Sequence, residues 1–186
     1  VTNGGTIQVT GHSAGGAGVQ LGDGSNPFAV GSSGGAISIS GVGVNAGVLM
    51  QNNQVNSGGG AVAITGSGNA LGVSLSNGGV TSAGGDIDIN GDAAASGGVG
   101  VLLSAAPLNS GAGHIVVHGD AAQGAGIQFA NGAGVTTTTG AIGLYGTGAS
   151  FGLDVANGGI TTNSGNITLD GTATAATATA GVRVTG

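Results

Sequence analysis

Ile87-Asp88-Ile89-Asn90-Gly91 is one of seven copies of a single pattern, apolar-x-apolar-x-Gly, read as a strand that ends in glycine, and the spacing of the copies decides the fold. The others begin at Ile7, Ile37, Val62, Ile115, Ile142 and Ile167. Successive copies lie 30, 25, 25, 28, 27 and 25 residues apart. Self-similarity at such a period marks a solenoid, in which each repeat buries its apolar face against its neighbours.

Two further elements keep step with the first. A second apolar pair follows in every repeat: Val19/Leu21, Val48/Met50, Val73/Leu75, Val101/Leu103, Ile127/Phe129, Leu153/Val155 and Val182/Val184. Glycine precedes each pair. The intervening residues are mostly small or polar, which is the period-2 alternation of a strand with one buried face. A third apolar position, at Val30, Val55, Val80, Leu108, Val135 and Ile160, stands seven residues before the next repeat begins. That constant interval predicts a turn of fixed shape, as in Ser57-Gly58-Gly59-Gly60 and Ser82-Ala83-Gly84-Gly85.

Three short strands per repeat describe an all-β chain: a right-handed parallel β-helix (β-solenoid) of about seven coils, each of roughly 25 residues. Coils stacked at ~4.8 Å place the inward Val, Ile and Leu in one column, and parallel crossovers are overwhelmingly right-handed. The rod segment is then on the order of 35 Å long. Residues 1–186 read as a single solenoid unit, expected to belong to a longer repetitive rod or to stack end to end with copies of itself.

Composition narrows the classes. Glycine supplies 46 of 186 residues, but neither its spacing nor the two prolines fit collagen. Recurrent β-branched residues and 4 % charge argue against disorder. The net charge is −6 and Arg183 is the only Lys or Arg, so a nucleic-acid partner is not expected. No apolar run reaches the ~18 residues of a membrane span. Cysteine is absent, which excludes thiolate metal sites.

Asparagine recurs between the second and third strands, at Asn52, Asn77 and Asn157, with Asn131 one place displaced. Two structural roles fit it: a stacked amide ladder, or a turn in the left-handed conformation. Loops between the first and second strands vary in length, with extra residues within Asp92–Gly100, Asp120–Gly126 and Gly171–Gly181, and the first repeat carries an insertion around Asp23–Ala29.

Candidate chemistry is sparse. Asp86-Ile87-Asp88-Ile89-Asn90-Gly91-Asp92 opens like a calcium loop, yet the twelfth position is Gly97, where a bidentate Glu would close it. The alternation splays these acids along one outer face. Asp86 and His114 occupy equivalent places in adjacent coils and are candidates to pair. Asn90, His118, Tyr145 and Asp170 share an outward column, and Asp92 stacks beside Asp120. His12, His114 and His118 have no recurring metal spacing. A polysaccharide-degrading enzyme needs converging carboxylates; only Asp92 and Asp120 offer a close pair, with Arg183 the only strong base. Of the aromatics that might hold sugar (Phe28, Phe129, Phe151 and Tyr145), Phe129 is expected inward. Ice binding would need a threonine file, whereas Thr136–Thr139, Thr161–Thr162 and Thr172–Thr179 fall at different places in the coil. No catalytic, cofactor-binding or metal residue is therefore assigned, and no cofactor is expected.

The pattern Gly-Gly-x-Ile-x-Ile-x-Gly, then Gly-Val-x-Leu, then Asn-Gly-Gly-Val-x-Ser-x-Gly-Gly resembles the repeat region of filamentous haemagglutinin-like adhesins and autotransporter stalks, large bacterial surface exoproteins. The resemblance spans essentially the whole chain. It implies an extracellular or cell-surface location, a β-helical shaft, and a non-catalytic role in attachment or cell contact. The implied partners are adjacent coils, further copies, or a host or neighbouring cell surface. A self-assembling extracellular filament or sheath subunit is the structural alternative.

Overall fold

The computed structural model describes residues 1–95, 97–178 and 180–186. The described chain contains strands and turns and no helix. Its strands form three parallel sheets, each adding one strand per coil. The first side comprises β1 (Ile7–Ser13), β4 (Ile37–Gly43), β7 (Val62–Gly68), β10 (Ile87–Ala93), β13 (Ile115–Ala121), β16 (Ile142–Gly148) and β19 (Ile167–Ala173). The second side comprises β2 (Ala17–Leu21), β5 (Ala46–Gln51), β8 (Leu71–Ser76), β11 (Val99–Ser104), β14 (Ala125–Ala130), β17 (Phe151–Ala156) and β20 (Val182–Thr185). The third runs through β3 (Phe28–Gly31), β6 (Asn53–Asn56), β9 (Gly79–Thr81), β12 (Leu108–Gly111), β15 (Gly134–Thr137) and β18 (Gly159–Thr162).

The register is the one the repeats predict. Ile7, Ile37, Val62, Ile87, Ile115, Ile142 and Ile167 pair in one unbroken file. On the third side Val30, Val55, Val80, Leu108, Val135 and Ile160 do the same. Each of the first six coils thus sends five aliphatic or aromatic side chains inward; in the second coil these are Ile37, Ile39, Val48, Met50 and Val55, all at most 2 % exposed. Phe129 is fully buried, as expected.

One expectation is corrected. The first strand does not end at its glycine but continues two residues beyond it. Inward positions along β7 read Val62, Ile64, Gly66 and Gly68, so side-chain size falls to nothing as the first and second sides converge. A Cβ on Gly66 would stand 2.1 Å from the Gly72 carbonyl oxygen, and one on Gly47 2.1 Å from the Ser67 nitrogen. This corner is closed by backbone against backbone.

The corner between the third and first sides is built differently. Two residues beyond each third-strand apolar residue stands a hydroxyl, and three further on a glycine: Thr2/Gly5, Ser32/Gly35, Ser57/Gly60, Ser82/Gly85, Ser110/Gly113, Thr137/Gly140 and Thr162/Gly165. Ser57, Ser82 and Ser110 are wholly buried. Their hydroxyls donate to the carbonyls of Gly60, Gly85 and Gly113, and Thr137 donates to Gly140 at 2.6 Å. A buried hydroxyl without such a partner would cost about 1–3 kcal/mol. The glycines stack on one another, and a Cβ on Gly85 would lie 2.3 Å from the Gly60 oxygen.

At the turn from the second to the third side, the left-handed reading of asparagine holds. Asn52, Asn77, Asn131 and Asn157 have φ between 51° and 53°, and Ala105 takes the same place at 49°. Asn131 is in step with the others when counted from the second strand, because the extra residue of its coil lies after it. The amide ladder does not form: Asn52 donates to the Gly24 carbonyl and Asn131 to Ser104 Oγ.

Gly85→Ala is expected to lower stability by about 1–3 kcal/mol or more, since backbone must move to admit the methyl group. Gly15→Ala, where nothing lies within 4 Å, is the near-neutral control. Urea denaturation of both variants checks the contrast. Ala105→Gly is expected to raise stability by about 1 kcal/mol, by relieving a left-handed residue that carries a Cβ, and the same titration measures it.

Candidate functional surface

The outer face of the first side gathers most of the charge. Asp88, Asp92, Asp120 and Asp170 project from it and Asp86 stands at its entry, five of the seven acidic residues in the chain. The cause is the strand alternation: with Ile87 and Ile89 buried, Asp88, Asn90 and Asp92 must face out, and neighbours on one face of a strand are ~6.8 Å apart. Asn90 Nδ2 donates to Asp88 Oδ1 at 2.7 Å. The calcium-like stretch is therefore a splayed row on a straight strand. Among the described residues no group of three His, Asp or Glu is placed to hold a metal ion.

Asp86 and His114 meet, but not through the imidazole ring. Asp86 Oδ1 accepts the backbone N–H of His114 at 2.8 Å. His114 Nδ1 in turn accepts the backbone N–H of Ala141 at 2.9 Å. Each side chain thus serves the coil that follows, and the ring nitrogen acts as acceptor, which places its proton on Nε2. His12 is exposed on β1, remote from both other histidines along the rod.

The outward column Asn90, His118, Tyr145 and Asp170 is in register as expected. Within it the rings of His118 and Tyr145 stack, with centroids 4.9 Å apart and planes 15° from parallel. The ring of Tyr145 folds back over Gly143, which has no side chain to obstruct it. Asp92 and Asp120 are register partners. Shallow depressions of 160 and 120 Å³ flank His118.

Sequence reasoning left Arg183 without a partner. Its Nε and Nη2 bind Asp154 Oδ1 and Oδ2 at 2.8 and 2.6 Å, a two-pronged ion pair. The guanidinium carbon also lies 4.0 Å above the centre of the Phe151 ring. The hydrogen bond to Asp154 raises the Arg183 pKa further above its ordinary value. Asp154 is buried beneath it. The signal was present: both residues are the middle position of a second-strand pair, Leu153-x-Val155 and Val182-x-Val184, so stacking makes them neighbours.

The third side carries a polar file that isolated threonine clusters do not reveal. Asn56, Thr81, Asn109, Thr136 and Thr161 lie side by side across five coils. It is a mixed Asn/Thr file; Thr179 of the last threonine cluster lies outside the described residues. Among the described residues, no helix is long and apolar enough to cross a membrane. No family model matches the chain, and no curated protein or solved structure is significantly similar to it.

Removing the guanidinium leaves a buried carboxylate without its partner on the last coil. Arg183→Ala is expected to speed amide hydrogen exchange in β19 and β20 while exchange in β7 and β10 stays as in the parent chain. Exchange read by NMR or mass spectrometry checks it, with Arg183→Lys falling between the two.

Proposed function

We propose that this chain is a shaft segment of a secreted bacterial adhesin or surface fibre, a non-catalytic spacer that holds a contact-making part away from the cell. The observation that carries the reading is the unbroken register of seven coils, with one apolar column inside and mostly small, uncharged residues outside. Such a rod is stiff because each interior coil is hydrogen-bonded to the coils before and after it through parallel sheets. Its length grows by about 4.8 Å per coil and its cross-section does not change, which suits a spacer. A chain with few charges and no cysteine also suits passage through a secretion pore in the unfolded state.

The resemblance of its repeats to filamentous haemagglutinin-like and autotransporter passengers supports the same reading. Immunogold labelling of intact source cells with antibody to this segment, followed by electron microscopy, tests it. Label is expected along thin rods projecting from the surface. Label confined to the cell interior, or to globular particles, overturns the proposal.

A further inference from the structure

The insertion in the first coil, between β2 and β3, opens a groove of about 460 Å³, within the range of small-molecule sites of about 300–1,000 Å³. Leu21, Pro27 and Phe28 give it apolar walls, and Gln20, Asp23 and Asn26 supply polar groups. Phe28 is 53 % exposed, whereas Phe129 is buried and Phe151 lies under Arg183. The loop is held in shape: Asp23 Oδ1 accepts the N–H groups of Ser25 and Asn26 at 2.8 and 3.3 Å, and Asn52 Nδ2 donates to the Gly24 carbonyl. The bonds from Ser25 and Asn26 keep the Asp23 pKa below the ordinary carboxylate value, so the group is an anion at neutral pH.

A second departure from the repeat lies next to it, inside the stack. Asn53 is fully buried, yet neither its Oδ1 nor its Nδ2 has a hydrogen-bond partner. It is the register partner of Phe28, and its Nδ2 lies 3.9 Å from where a Cβ on Gly22 would stand, so the amide sits directly behind the groove. The equivalent place in other coils holds Gly78, Ala106, Ala133 and Gly158, with no polar group. A buried amide with nothing to bind costs about 1–3 kcal/mol, and this coil alone carries one at that position.

We propose that this groove binds a neutral saccharide, with the C–H face of one pyranose ring against Phe28 and hydroxyl groups paired by Gln20, Asp23 and Asn26. The chemistry selects this class. The apolar wall and the hydroxyl-matching rim meet the two faces of a sugar ring. The nearest charge is the Asp23 carboxylate, with no cation in the lining to hold a phosphate, sulfate or uronate. The site goes beyond the shaft reading and does not rest on it: a rod that binds no sugar remains a rod.

The test is an NMR titration of the isotopically labelled chain with cellobiose, maltose, lactose and chitobiose, each to about 20 mM, a range that detects millimolar affinity. Saturable shifts are expected with at least one of them, confined to Gln20–Phe28. Phe28→Ala is expected to weaken binding at least tenfold without altering the melting temperature, because the ring is largely exposed. Asn53→Ala, the residue found at this place in two other coils, is expected to leave binding unchanged while the melting temperature holds or rises. No saturable shift with any of the four sugars, shifts centred elsewhere, or Phe28→Ala binding as tightly as the parent overturns the site.

Discussion

Parallel backbone pairing between successive coils sets the terms for everything else in this molecule. Backbone hydrogen bonding sets each strand roughly 4.8 Å from the next, and every rung must keep that distance on three sides at once. At the two corners flanking the first side, the backbone of one element comes so close to another that no Cβ fits. The paired glycines Gly66/Gly72 and the stacked glycines Gly60/Gly85/Gly113 meet that condition. A glycine content that suggests looseness therefore reflects tight closure. The entropy lost in fixing so many glycines is offset by the hydrogen bonds and aliphatic burial that close approach permits.

The same constraint explains how a chain with little charge and few aromatics holds a core. The interior is narrow, and one layer of five medium-sized side chains fills each coil. Ile, Val and Leu stack on their counterparts above and below, so each buried residue meets its own kind along the axis. Where the wedge tapers, size falls from Ile to Gly within a single strand, as in Ile37, Ile39, Gly41 and Gly43. The buried serines close the opposite corner: Ser57, Ser82 and Ser110 donate to the carbonyl three residues on, and Ser32 donates to the Gly5 carbonyl of the coil before it. Burying one polar group per coil is tolerated because each has its partner. Asn53 departs from that rule, and the departure lies behind the coil whose second turn carries the longest insertion.

Stacking also converts sequence distance into surface chemistry. Residues some 25 positions apart become neighbours, so that Asp154 meets Arg183, and His118 meets Tyr145. The ion pair ties the last two coils of the second side together. The acids of the first side, by contrast, stay apart, because a straight strand holds alternate side chains at a fixed separation and does not converge them. That is why a calcium-like string of residues makes no cage here: a loop must curl its ligands around an ion, and β10 does not curl.

The repeat interval, the inward column, the three-sided coil and the pairing register were all legible in the chain, because a period-2 strand and a fixed repeat length leave one way to bury every aliphatic residue. The inward Phe129 followed from the same arithmetic, whereas the recurring asparagines left two roles open, an amide ladder or a left-handed turn, and the structure shows the second. The extension of the first strand past its glycine was not legible, since glycine reads locally as a breaker and only the approach of the second side shows it as a packing residue. The Ser/Thr-x-x-Gly corner recurs seven times in the sequence, but its meaning as a buried hydroxyl ladder needs the carbonyl that each hydroxyl finds. The two-pronged geometry of Arg183 on Asp154 and its place over Phe151, the stacking of His118 on Tyr145, the service of Asp86 and His114 to backbone amides, and the isolation of Asn53 behind the Phe28 groove were decided by tertiary structure alone. Strand periodicity fixes which way a side chain points, whereas its distance to a group in the next coil depends on rotamers and loop shape, and these are set only when the coils close on one another.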